Sequence, residues 1–172
     1  VPYTDLLRTT VFLTGAEATA LGAITAIAAG RDQDTRTVLV AAVWWLAALL
    51  VGLYLGRPER AAEGVRDALA RARTATSLPD ETPARIAVGR LWPVGVTALA
   101  AGVLGIFFPG VAAVGAGYAL LVALAMRTRE AAVLGIEHRD GVKFYVVPGS
   151  ALRPIQLVRT PGLRSDHLSR TF

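Results

Sequence analysis

Apolar positions in this chain fall in long blocks, separated by short segments that hold nearly all the charge. Residues 9–30 contain one charged residue, Glu17, and residues 37–56 contain none. Residues 91–126 form a run of 36 residues without a charge. A helix rises 1.5 Å per residue, so about 20 residues cross a hydrocarbon core of about 30 Å. The first two blocks each fit one crossing. The third is too long for one and fits two short ones joined at "FFPG" (107–110), because Pro and Gly mark turns. The pattern predicts an all-α membrane protein, a four-transmembrane-helix bundle of two hairpins, with spans at about 9–30, 37–56, 91–108 and 110–126. The first block exceeds the apolar region of a signal peptide and is taken as a span.

The polar segments carry other periods. "PERAAEGVRDALARAR", opening a helix expected over about 58–75, has Pro at its first turn and an i,i+4 pair, Asp67 and Arg71. Ala62, Val65, Leu69 and Ala72 make a thin apolar stripe, too weak for strong membrane insertion. This cytoplasmic amphipathic helix is expected to lie along the bundle or a partner, with Arg60, Arg66, Arg71 and Arg73 facing solvent or lipid phosphate. "SLPDETP" (77–83) reads as a loop, ending in a Thr82 N-cap and Pro83 first-turn pair.

Beyond 126 the chain is a basic tail (127–172). "VLGIEHRDGVKFYVV" (133–147) places Asp140-Gly141 between two apolar runs, a strong short-range hairpin signal. The favoured expectation is a small C-terminal β-hairpin that pairs Arg139 with Val142 and Ile136 with Tyr145, with a third strand at 155–160. The alternative is a helix that continues to His138.

Charge then orients the spans. The 57–90 connection holds seven Arg, and the segment from 127 onward holds seven Arg and the chain's one Lys. The 31–36 connection balances two Arg with two Asp, and the turn at 107–110 has no charge. Basic residues near span ends stay on the cytoplasmic side. Both termini are therefore expected to be cytoplasmic in a plasma (inner) membrane, and an even number of spans requires the same. Arg153 and Arg159, with Arg66, Arg71 and Arg73, are candidate contacts to anionic headgroups or to a partner. Seventeen Arg against one Lys, with abundant Ala and Gly, is the usage expected of a GC-rich bacterial genome.

Helices in lipid associate through close approach at small residues. Gly22, Ala26 and Gly30 recur at steps of four in the first span, and Gly52 and Gly56 form a GxxxG in the second. Gly102 and Gly105 in the third span and Gly117 in the fourth stand at similar spacing from Ala. These glycines are expected to close a tight bundle and to serve a homo-oligomer or a membrane-protein partner. Trp44 and Trp45 lie deep enough to pack, whereas Trp92 sits at an interface.

The catalytic signals are few. The chain has no Cys, and His138 and His167 lie far apart, so no metal ligand set is indicated. "HRD" (138–140) has no glycine-rich loop or DFG to make a kinase. Neither a Walker A motif nor GxSxG is present. No cofactor and no nucleic-acid partner is expected. Glu17 stands out instead. An acid at a span centre costs roughly 2.5–3.5 kcal/mol on insertion scales and usually marks a polar contact or an ion path. It lies eight residues inside the first span, about 12 Å deep. Thr14 shares its face, and Thr97 and Tyr118 fall at a similar depth on the third and fourth spans. Glu17, Thr14, Thr97 and Tyr118 are therefore the candidate intramembrane polar cluster, with the carboxyl expected to favour its neutral form. Two functions follow as expectations. One is a non-catalytic accessory or scaffold subunit of an oligomer or larger membrane complex. The other is a proton- or ion-coupled small transporter or channel, acting as a homo-oligomer through Glu17.

Overall fold

The computed structural model describes residues 1–32, 35–70, 72–74, 83–147, 151 and 155–161. Four long helices carry the apolar blocks: α1 (Tyr3–Asp32), α2 (Thr35–Leu55), α4 (Pro83–Phe107) and α5 (Pro109–Met126). Each is long and apolar enough to cross a membrane. Large apolar side chains such as Phe12, Val40, Leu46, Leu99 and Ile106 are exposed along these shafts, a surface suited to contact with lipid. The break at "FFPG" falls where the turn residues place it. Phe108 leaves helical geometry with φ −132° and ψ 87°, and Pro109 occupies the first turn of α5, where its missing N–H is not needed.

The four shafts are unequal partners. α5 is the centre and packs against α1 most extensively, then α2, and also α4. α4 leans on α1 as well, whereas α1 and α2 touch only lightly. Of the two expected hairpins, α4 and α5 pack against each other, whereas α2 joins the bundle mainly through α5 and not through α1. Composition explains the preference. The inner faces of α5 are Ala112, Ala113, Ala116, Gly117, Ala119 and Ala123, all buried, so three helices can approach its backbone closely.

The shorter elements gather at one end of the bundle. They are α3 (Pro58–Ala70), β1 (Arg73–Thr74), α6 (Arg129–Asp140), β2 (Val142–Val146) and β3 (Leu157–Pro161). β2 and β3 are antiparallel, with Phe144 opposite Arg159 and Tyr145 opposite Val158, and β1 adds to β3 in parallel. On the other edge of β2, the Val146 N–H donates to the Val1 carbonyl at 3.0 Å, and Pro2 bridges Tyr145. A hydrophobic core joins α3, α6, β2 and β3 to the starts of α1 and α4: Tyr3, Leu6 and Leu7 from α1, Val65 and Leu69 from α3, Ile86 from α4, Val133 from α6, Val142, Phe144 and Val146 from β2, and Leu157 from β3. The start of α1, the segment between α2 and α4 and the segment after α5 thus make one packed head.

Two expectations are corrected here. The 133–147 segment is not a hairpin. Residues 129–140 are helical, and Gly141, at φ 63°, caps α6 by donating its N–H to the Glu137 carbonyl. An Asp-Gly pair supplies a left-handed residue equally well to a hairpin turn or to a helix end. Helical spacing wins because it turns Val133 and, in part, Ala132 and Ile136 into the head core, with Leu134 left exposed. The hairpin lies one element later, between β2 and β3, and β3 covers most of the expected third strand. The second correction concerns α3, whose buried stripe is Ala61, Val65 and Leu69 and packs against α6 in the head. The helix expected over about 58–75 is also shorter, because α3 ends at Ala70 and Arg73–Thr74 form β1. The Thr82 cap and residues 77–82 of the expected loop lie outside the described residues.

Candidate functional site

Thr14, Glu17, Thr97 and Tyr118 line one cavity of about 360 Å³. α1 supplies Thr14 and Glu17. α4 supplies Thr97 with Val94 and Ala101, and α5 supplies Tyr118 with Gly115, Ala119 and Val122. Small residues open the space: Gly115 and Ala101 lie where larger side chains would fill it. Gly115 also receives Leu21, since a Cβ there would stand 2.9 Å from the Leu21 Cδ1.

The cavity is a groove in the flank of the bundle. Thr14 is buried and Glu17 is half-buried, but Thr97 is exposed and Tyr118 is 58 % exposed. All four lie in the middle of long apolar helices, so the groove opens sideways on the shafts, away from both ends of the bundle. The Tyr118 ring is held from outside by Trp44 of α2, edge to face at 5.3 Å and 62°.

The polar groups here are not equivalent. Thr14 Oγ1 donates to the Thr10 carbonyl at 2.8 Å, and Thr97 Oγ1 donates to the Pro93 carbonyl at 2.9 Å. Their protons are spent on their own helices, and only acceptor capacity remains. Among the described residues, neither the Glu17 carboxyl nor the Tyr118 hydroxyl has a hydrogen-bond partner. The groove therefore presents two unengaged polar groups and two acceptors in an apolar lining. It has no paired base and nucleophile, and among the described residues no group of three His, Asp or Glu could hold a metal.

The glycines divide. At Gly56 a Cβ would run into the Leu124 carbonyl oxygen, and at Gly52 it would stand 2.9 Å from Leu124 Cβ and 3.1 Å from the Leu121 carbonyl oxygen. At Gly105 it would stand 2.5 Å from Ala112 Cβ, and at Gly117 it would overlap the Trp44 indole. These four admit close neighbours. Gly22 and Gly102 have ordinary contacts at 3.7 Å, to Trp45 and Ile24, and nothing approaches Gly30. The inner face of α1 is not Gly22–Ala26–Gly30, because Ala26 and Gly30 are exposed; it is Thr14, Leu21, Thr25 and Ala29. Thr25 acts there as a small residue, its hydroxyl turned back to the Leu21 carbonyl at 2.9 Å.

Trp45 Nε1 donates to the Ala113 carbonyl at 2.8 Å, and Trp44 Nε1 to the Val114 carbonyl at 3.3 Å. Both indoles pin α2 to α5. Trp45 also walls a second groove, of about 230 Å³, with Gly15, Thr19 and Gly22 of α1. Of the candidate docking arginines, Arg66 and Arg159 are exposed on the head. The backbone of Arg73 lies in β1, and Arg71 and Arg153 lie outside the described residues.

No protein-family model, curated protein or solved structure matches this chain.

Proposed function

We propose that this multi-pass membrane protein is a non-catalytic accessory or scaffold subunit of an oligomer or a larger membrane complex. Its flank groove receives a polar group from a neighbouring transmembrane helix. The observation that supports this reading is the sideways opening at mid-helix: Tyr118 is 58 % exposed there, beside a Glu17 carboxyl without a partner among the described residues. A polar group facing hydrocarbon is costly, and an interhelical hydrogen bond from a neighbour removes part of that cost. The side on which the basic segments gather favours a cytoplasmic head, both termini inside, in a plasma (inner) membrane. Exposed Arg66 and Arg159 then face anionic headgroups or the soluble part of the partner.

A second reading, a proton- or cation-coupled transporter acting as a homo-oligomer, draws on the same unengaged carboxyl. Proteoliposomes loaded with a pH-sensitive dye separate the two. The scaffold reading expects no flux that depends on Glu17. It also expects assemblies above one copy in mild detergent, weakened in Glu17→Ala by light scattering. Flux abolished by Glu17→Gln with the assembly intact would establish the transporter instead.

A further inference from the structure

A cationic site stands at the head end of α2, away from the groove. Arg57 and Arg60 converge on a single ring, that of Tyr54, with their guanidinium carbons 5.0 Å and 4.2 Å from its centroid. Arg60 also donates to the Tyr54 hydroxyl at 2.7 Å. Each contact is a favourable cation–π arrangement, but two like charges on one ring repel. Glu59 and Glu63 of α3 stand nearby in sequence, yet neither pairs with these arginines. The Arg139–Asp140 ion pair lies elsewhere, at the end of α6. Two guanidinium groups on one ring thus keep most of their donors free.

The surroundings extend the site in two directions. Thr128 Oγ1 donates to the Gly56 carbonyl at 2.9 Å, which ties the residue before Arg57 to the residue after Arg127, a third exposed arginine. Toward the membrane, α2 exposes Val51, Leu53 and Leu55 beside the half-exposed Tyr54 ring.

We propose that Arg57 and Arg60, presented by Tyr54, bind the phosphodiester of an anionic phospholipid whose acyl chains lie along the exposed face of α2. Arginine's planar fork matches phosphate oxygens two at a time. Tyrosine belongs at the headgroup level, where one end of its ring is apolar and the other wet. The adjoining apolar face selects a lipid over soluble phosphate, since a free anion has no use for it.

The test uses the full chain in mild detergent, titrated by native mass spectrometry with phosphatidylglycerol and with phosphatidylcholine of the same acyl chains. Phosphatidylglycerol binds more tightly. Arg57→Gln and Arg60→Gln each weaken it about fivefold and the double variant about twenty-five-fold. Phosphatidylcholine, whose choline cation offsets its phosphodiester, binds weakly and changes less in the variants, and an unchanged far-ultraviolet circular dichroism spectrum reports that the fold survives. Arg139→Gln removes the same charge elsewhere on the head and leaves phosphatidylglycerol binding as it was. The proposal is overturned if the double variant retains wild-type affinity, if Arg139→Gln costs as much as Arg57→Gln, or if excess inorganic phosphate displaces the lipid.

Discussion

Thr128 closes the end of α2: its Oγ1 donates to the Gly56 main-chain carbonyl at 2.9 Å, across 72 positions of sequence. The last carbonyls of a helix lack internal donors, and this one is capped from the turn that links α5 to α6. The same Gly56 leaves no room for a Cβ against the Leu124 carbonyl. Close approach and cap belong to one contact. Gly56→Ala is expected to separate α2 from α5 and cost about 1–3 kcal/mol. Thr128→Val, which removes only the bond, should cost about 1 kcal/mol. Unfolding in increasing sodium dodecyl sulfate checks both. A Gly56→Ala variant as stable as wild type would show that α2 does not seat here.

Gly117 and Trp44 form the matching contact nearer the far end. A Cβ on Gly117 would occupy the indole's place, so Gly117→Ala must displace Trp44 from the Val114 carbonyl and from the Tyr118 edge. The expected result is a loss of near-ultraviolet circular dichroism and about 1–3 kcal/mol of stability. In a Trp44→Ala background the same substitution should cost less than half as much. That non-additivity, read in a double-mutant cycle, is the measurement that assigns the cost to this pair.

The shafts were legible because each signal is local: 20 or so apolar residues in a row, and a Pro and Gly at the break. The GxxxG of Gly52 and Gly56 was legible too, but not its partner, since nothing in the sequence prefers Leu121 and Leu124 of α5 over a face of α1. The head was read as separate pieces because its core joins Tyr3, Val65, Ile86, Val133, Val146 and Leu157. Each contributing segment supplies only one to three buried apolar positions, too few to reveal a shared core. Depth counting placed Glu17, Thr14, Thr97 and Tyr118 at one level, and the structure has them around one groove. Counting depth carries no information on rotation about a helix axis, so it could not show that Thr97 and Tyr118 lie on the flank.

At the end of α6, Arg139 Nε donates to Asp140 Oδ1 at 2.8 Å on the open surface. That hydrogen bond holds the Asp140 carboxyl below the usual carboxylate range, and the charges of Arg139 and Arg159 act in the same direction. A carboxyl lowered in the folded state adds stability above its unfolded value, and the contribution is lost as pH falls through the folded value. Arg139→Gln should therefore move the Asp140 midpoint upward, as followed by carbon-13 NMR of its carboxyl. Because both groups are exposed, global stability at neutral pH should hardly change. An Asp140 midpoint that stays put in Arg139→Gln would show that the pair does not persist in solution.

Glu137 governs the reversal from α6 into the sheet. Its main-chain carbonyl accepts the Gly141 N–H, and its side-chain Oε1 accepts the Phe144 N–H at 3.0 Å. Gly141 makes the geometry possible at φ 63°, where a Cβ is strained, and Phe144 is delivered into the head core. Gly141→Ala is expected to destabilise the head by about 1 kcal/mol, with Gly141→Asn milder because Asn tolerates the left-handed region. Phe144→Ala empties a core position and should cost about 3–5 kcal/mol. Hydrogen exchange localises the effect. The Val146 amide, which bonds the Val1 carbonyl, should lose protection in both Ala variants, while amides in the middle of α5 keep theirs. If α5 exchanges faster in step with Val146, head and shafts unfold as one cooperative unit, and the strain at Gly141 acts on the whole protein.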